Sequence, residues 1–333
     1  MMKPLEEFLT PTQPQLFDKL RNMYKNRAHI YTCKNRYILV RGEAPIMLLA
    51  HLDTVHKEPV QQICKTQNGT ILMSPQGIGG DDRCGVYALV TAYEQSKVKP
   101  WLLFTCDEEV GGVGAEDFCA KHEKGKLPKE LADLKLLVEI DRKGKDDAVY
   151  YDCENEEFEE YISSKGFKTE WGSFSDISVV APELGVAAVN LSSGYYNAHT
   201  QHEYINRKHL NTTVRKVIEI VADSVKPDFP KYEYVECVRH SRFGGYCGWD
   251  YGYGNWGLKP KKSETELIGI EDDPELKEIP LEIREEYAAL LDYYTIDELE
   301  EIRAEMGDNG IAMLFESEIG EFYGEEDDFY DEK

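Results

Sequence analysis

The sequence predicts an α/β fold built on a mostly parallel central sheet. Continuous apolar runs at 45–50 (PIMLLA) and 100–105 (PWLLFT) suit strands buried on both faces, and 134–140 (LKLLVEI) reads as a third strand. Helical patterns follow the first two at 84–95 and 115–123, and the alternation resumes with a strand at 187–191 and a helix at 209–224. Polar clusters stand where these strands end, which is where an open α/β sheet places its chemistry.

Residues 12–28 carry Leu16, Leu20 and Met23 at spacings of four and three behind Thr12 and Pro14, a short amphipathic helix. Residues 29–41 read as a hairpin turning at Lys34–Arg36, and 60–73 as a peripheral hairpin around Asn68-Gly69, a dipeptide suited to a type I′ turn. Gly77, Gly79 and Gly80 then turn the backbone tightly into Asp81, and Val86, Leu89 and Val90 face the sheet. The helix 209–224 sets Val214, Val217, Ile218 and Val221 on one face.

These elements define a domain over 1–228, a glycine- and aromatic-rich segment over 229–258 and an acidic extension over 259–333. The middle segment reads as a loop packed across the surface or a lid over substrate; composition alone does not separate the two. The extension holds 26 acidic and 7 basic residues, −19 of the chain's net −25. Within it 283–306 reads as one or two helices, the second capped near Thr295, and the end as disordered. The net charge opposes nucleic acid and anionic membranes as partners. No run approaches 18 apolar residues, the first residues lack the apolar core of a signal peptide, and the eight cysteines show no CxxC spacing. A cytoplasmic protein with reduced cysteines is the expectation.

In an extended segment His51 and Asp53, two apart, face the same side, and a carboxylate beside an imidazole can fix the tautomer that binds zinc. Alone, that pair is more often packing than ligand. Asp81 and Asp82 open a helix, where one can cap; the second exceeds what capping requires, and one of the pair could bridge two divalent cations. Asp107, Glu108 and Glu109 leave a buried strand as three adjacent like charges, so they escape to solvent or are offset by cations. A glutamate there can act as general base. Asp141 ends the third strand, and His199 lies in a turn after the next.

In order and context these blocks, HLD, GGDDRCG, DEEVGG, EID and HTQHE, resemble the two-metal zinc peptidases of the M20, M28 and M42 families over roughly residues 15–225. The resemblance implies a three-layer α/β/α sandwich of the zinc-exopeptidase (phosphorylase/hydrolase-like) type holding two Zn2+ per chain, with Co2+ or Mn2+ as substitutes. It implies that His51, Asp81 and Asp141 hold one ion and Asp81, Glu109 and His199 the other, that Asp53 orients His51, and that Glu108 is the base. Asp82 would stand behind the ligands. Ser175 and Asp176 resemble the turn that lines the pocket, and Glu203 the acid that bonds the late histidine or caps the next turn; His202 is expected to be exposed. Only 57 residues separate Asp141 from His199, and 27 separate Asp53 from Asp81, too few for a dimerisation, lid or barrel insertion. An oxyanion donor would then come from Tyr195, Tyr196, His240, Arg242 or a tyrosine of the 238–257 segment.

The implied activity is hydrolysis of an amide in a small peptide, as an aminopeptidase or other exopeptidase. An acylated amino acid cleaved by an amidohydrolase or deacetylase is the alternative, and a non-catalytic binding or assembly protein on the same fold is the reading from another class. Acids near every motif favour a substrate amine; one arginine, such as Arg242, would reverse that. Oligomeric state is open.

Overall fold

In the computed structural model, residues 4–172 and 174–236 are described, together with the single positions 290, 299, 303 and 311. The chain divides into two units, Met1–Cys237 and Val238–Lys333. In the second, Leu290, Leu299, Arg303 and Ile311 are helical, and the first two and Ile311 are buried; the expected lid or loop at 238–257, with His240 and Arg242, and the acidic end lie outside the described residues.

The first unit begins with α1 (Glu6–Leu9) and α2 (Gln13–Tyr24). Thr12 caps α2, and its backbone N–H is answered by Gln15 Oε1 at 3.0 Å, a capping box behind Pro14. The hairpin β1 (Ile30–Cys33) and β2 (Tyr37–Val40) leads to β3 (Ile46–His51), then the short pair β4 (Cys64–Lys65) and β5 (Ile71–Met73). The last turn differs from the expected type I′: the Gly69 N–H donates to the Thr66 carbonyl at 2.8 Å, and of its two residues only Gly69 has positive φ. Then come α3 (Gly80–Gln95), β6 (Trp101–Thr105), α4 (Val113–Glu123), β7 (Leu136–Arg142), β8 (Asp147–Val149), α5 (Glu156–Ser164), β9 (Lys168–Thr169), α6 (Ile177–Leu184), β10 (Ala188–Ser192), β11 (Tyr195–Tyr196), β12 (Tyr204–Asn206) and α7 (Arg207–Ser224).

The main sheet has the order β1-β2-β6-β3-β7-β10-β8-β9. Its four central strands, β6-β3-β7-β10, run parallel, with antiparallel pairing of β1 to β2, β2 to β6 and β8 to β10. A second sheet, β11-β12-β5-β4, stands apart. Alternate residues of each apolar run serve two cores. Ile46, Leu48, Ala50, Leu102, Phe104, Val138 and Val189 pack with α2, α3 and α7; Met47, Leu49, Leu103, Leu137 and Ala188 pack with α4 and α6. Helix, sheet and helix thus form three layers. No helix among the described residues is long and apolar enough to cross a membrane.

A row of polar residues enters toward the C-terminal half of the parallel strands on one face. His51 is opposite Thr105, and Glu139 is opposite both Leu49 and Asn190. By strand alternation all four share the face covered by α4 and α6. From β3 the chain goes on to β6 on one side of it and, after α4, to β7 on the other, the switch point at which an open α/β sheet places its ligand site.

The sequence left 143–171 without elements. There α5 has Phe158, Tyr161 and Ile162 at helical spacing and is capped by Asn155, which accepts the Phe158 N–H at 3.0 Å. The Ile177-Ser178-Val179-Val180 stretch has strand propensity and is nevertheless helical, because Ile177, Val180 and Ala181 are buried against α4. Residues 229–236 stay attached to the first unit: the Ala187 N–H donates to the Tyr232 carbonyl at 2.9 Å, and Tyr232 is buried.

The β6–α4 connection has little room. A Cβ on Gly114 would lie 2.6 Å from the backbone N and O of Cys106, so Gly114→Ala is expected to force that turn open and destabilise the fold by about 1–3 kcal/mol. Urea unfolding of the variant measures it, and an unchanged midpoint contradicts the close approach.

Candidate metal centre

His51, at the end of β3, is fully buried. Asp53 beyond it accepts the Glu108 N–H at 3.1 Å with Oδ1 and the Glu109 N–H at 3.0 Å with Oδ2. Its Oδ1 also lies 3.3 Å from His51 Nδ1, an ion-pair distance although not a well-aligned hydrogen bond. One side chain therefore holds both the imidazole and the loop after β6. That loop closes by Gly111 and Gly112 N–H groups donating to the Glu108 carbonyl at 2.9 and 3.0 Å.

The three adjacent acids divide. Asp107 turns away, 3.1 Å from Arg36 Nη1 and accepting Gln13 Nε2 at 2.7 Å, while Glu108 and Glu109 face the histidines. The glycine turn delivers Asp81 and Asp82, joined by a cis peptide bond. Asp82, at a non-helical step inside α3, accepts the Gly85 N–H with Oδ1 at 2.9 Å, as a capping side chain does, and its buried Oδ2 has no hydrogen-bond partner among the described residues. From β7, Asp141 is gripped through its backbone by Asn190, which accepts its N–H at 2.8 Å and donates to its carbonyl at 3.1 Å.

These groups meet around Asp81. Its Oδ1 lies 3.2 Å from His51 Nε2, and its Oδ2 lies 3.2 Å from His199 Nε2. On the His51 side Asp141 Oδ1 is 3.6 Å and Glu108 Oε2 3.9 Å from the ring nitrogen; on the other, Glu109 Oε2 is 3.2 Å from His199. Donor atoms within 4.8 Å of one another also group as His51, Asp81 and Glu109, and as His51, Asp82 and Asp141. Proximity alone thus places Glu109 with His51 and admits Asp82. The two oxygens of Asp81, aimed at different imidazoles, give the clearer partition.

Burial would lower His51's proton affinity, but Asp141, Asp53 and Asp81 raise it well above the ordinary imidazole value. Hydrogen bonds to Asp81 and Glu109 push His199 up to about 10. Burial, reinforced by neighbouring carboxylates, raises Asp82 and Asp141 far above the carboxylate range, and it pushes Glu108 up to about 9. Asp53 goes the other way, to about 2, because the His51 contact and two backbone N–H groups outweigh its burial. The cluster holds more negative charge than its two imidazoles offset, so without further positive charge it must retain protons. Divalent cations fit: the donors are imidazole nitrogens and carboxylate oxygens, as zinc takes, and Asp82 Oδ2 and Glu109 Oε1 are buried acceptors with no hydrogen-bond partner among the described residues.

Other expected residues stand differently. Ser175 and Asp176 are buried under the strand ends rather than lining an open pocket, Ser175 donating to Glu139 and Asp176 accepting from Thr105, because both belong to the packed start of α6. Tyr195 donates to the Asp141 carbonyl at 3.2 Å. Tyr196 pairs its hydroxyl with His209 at 2.7 Å and stacks on Tyr204, so it is committed outside the cluster. Glu203 bonds the glycine turn and His56 rather than the His199 ring, and His202 is exposed. Sequence reasoning gave no role to Thr105, Glu139 or Asn190; the signal available was a polar letter inside each otherwise apolar run.

No protein-family model and no curated protein matches the chain. Among solved structures, 142 chains match. One is the aminopeptidase PepT from Bacillus cereus, with 14% identity and a TM-score of 0.51, over 68% of this chain and 100% of that one. Another is a tripeptidase from Staphylococcus aureus, with 14% identity and a TM-score of 0.49, over 67% and 99%. The shared fold is the three-layer α/β/α sandwich with a mixed, centrally parallel sheet. At these identities the likeness is one of architecture, and the chemistry rests on the cluster.

Because cations would replace retained protons, Zn2+ at 100 times its dissociation constant is expected to stabilise the apo protein by about 2.7 kcal/mol per independent site. Differential scanning calorimetry should show the thermal midpoint rise with Zn2+ and fall back with chelator. An unmoved midpoint removes the cation site.

Proposed function

We propose that the chain is a two-metal hydrolase that cleaves an amide bond of a short peptide at its amino end, an aminopeptidase. The observation that carries this reading is the Asp81 carboxylate, with one oxygen toward His51 and the other toward His199. In this reading His51, Asp81 and Asp141 would hold one Zn2+, and Asp81, Glu109 and His199 the second. Divalent cations at such a site supply Lewis acidity toward water and toward the scissile carbonyl. Asp53 keeps the His51 ring turned so that Nε2 faces the cluster. Glu108 takes a proton from the attacking water as the new C–O bond forms, and gives it to the amine nitrogen as the C–N bond breaks. Its carboxyl faces the cluster, Oε2 3.9 Å from His51 Nε2; burial and the neighbouring acids hold a proton on it without cations, and bound cations would release that proton and leave the carboxylate free to act as a base.

A substrate amine is favoured by the charge at hand. Arg36 is paired with Asp107 and Asp117. Arg83, which lines a cavity of about 250 Å³ beside Asp53, is buried and donates Nη1 to the carbonyls of Phe8 and Pro11 at 3.0 and 2.8 Å. Carboxylates surround the cluster. The Bacillus cereus chain of the same fold is described as an aminopeptidase, which agrees with this end of the substrate.

Glu108→Gln is expected to lower kcat by about 10²- to 10⁴-fold while metal content, read by plasma mass spectrometry, stays at the wild-type level. Full activity in that variant contradicts the base assignment. In a screen with added Zn2+, Co2+ or Mn2+, amino-acyl amides and short peptides with a free amine should be hydrolysed in preference to N-acyl amino acids. The reverse preference assigns the chain to the amidohydrolases.

A further inference from the structure

Glu203 is fully buried and follows His199 by four residues, yet its carboxylate serves a different segment. Oε1 accepts the Asp81 N–H at 2.9 Å, and Oε2 accepts the Gly79 N–H at 2.9 Å and His56 Nε2 at 2.7 Å. Three connections are thereby tied to one group: the one after β3 through His56, the glycine turn through two amides, and the His199 loop through the chain itself. The turn runs in a slot. A Cβ on Gly80 would lie 2.6 Å from Tyr195 Cβ, 3.0 Å from Ile205 Cγ1 and 3.1 Å from Glu203 Oε1, so the backbone passes hard against the β11–β12 pair. The Asp81 amide cannot shift without giving up its bond to Glu203 or crossing that wall.

We infer that Glu203 is a positioning residue which, by fixing the backbone of Asp81, sets the affinity of both cation sites at once. This rests on the two-metal reading above, in which Asp81 is shared. The carboxylate touches neither imidazole ligand, and it reaches Asp81 through the glycine turn. A merely structural role predicts a less stable fold whose folded molecules bind metal normally. A positioning role predicts folded molecules in which both sites weaken together, because one displaced carboxylate serves both.

The experiment titrates full-length apo protein with Zn2+ against a chromophoric chelator and records the visible spectrum of the Co2+ form. It compares wild type, Glu203→Gln, His56→Phe, and Phe158→Leu on α5 as a stability control. Two ions in the wild type are what the functional reading requires; none overturns that reading and this role with it. The expected result is that folded Glu203→Gln binds both ions roughly 10- to 100-fold more weakly, with a shifted Co2+ absorption band, as is typical for partners that orient ligands. His56→Phe, which removes one of the three donors and keeps the ring shape, should move both sites the same way by less, and it carries the test should Glu203→Gln not fold. Phe158→Leu should lower the melting temperature and leave affinity unchanged. Wild-type affinity in folded Glu203→Gln, or weakening of one site alone, overturns the inference.

Discussion

The structure depends on the enforced proximity of carboxylates that the chain does not itself neutralise. Asp81, Asp82, Glu108, Glu109 and Asp141 meet at the ends of parallel strands, against two imidazoles. Removing such charges from water costs several kcal/mol each unless they are paired or protonated. Hydrophobic packing on both faces of the sheet offsets that cost in the apo chain, since β3 and β6 are buried along their whole length and β7 and β10 carry the same two cores. The site is thus a concentration of charge that a cation would relieve, set at the ends of strands whose two faces are packed in apolar cores.

A common device arranges it. The carboxylates facing the cluster are held largely through their backbones by side chains from elsewhere. Asp53 takes the N–H groups of Glu108 and Glu109, Glu203 takes that of Asp81, and Asn190 takes that of Asp141. Gripping the amide leaves the carboxylate oxygens available, while the backbone that carries them is fixed. Under this layer Thr105, Glu139, Ser175 and Asp176 hydrogen-bond in pairs across the α4 and α6 face, so the polar row of the sheet is partnered by the start of α6.

The parallel strands were legible because β3, β6, β7 and β10 are predominantly apolar runs, and the candidate ligands because they are polar letters at the ends of those runs or in and just beyond the connections that follow them. How Asp107 would part from Glu108 was not legible, because adjacent residues differ here only in backbone turn: Asp107 has a φ of +61° and reaches Arg36. Glu203 and Asn190 were missed in their present roles for a different reason. Their hydrogen bonds join residues 122 and 49 positions apart, and such pairing leaves no local period in the sequence. The helix α6 was hidden by β-branched residues whose burial, rather than propensity, decides their conformation.

The central claim is that Asp81 lies between two cations. Anomalous diffraction at the zinc edge, from crystals of the Zn2+-loaded protein, tests it most directly. Two peaks flanking the Asp81 carboxylate are expected, one toward His51 and Asp141, the other toward Glu109 and His199. A single peak, or peaks away from Asp81, would contradict the account.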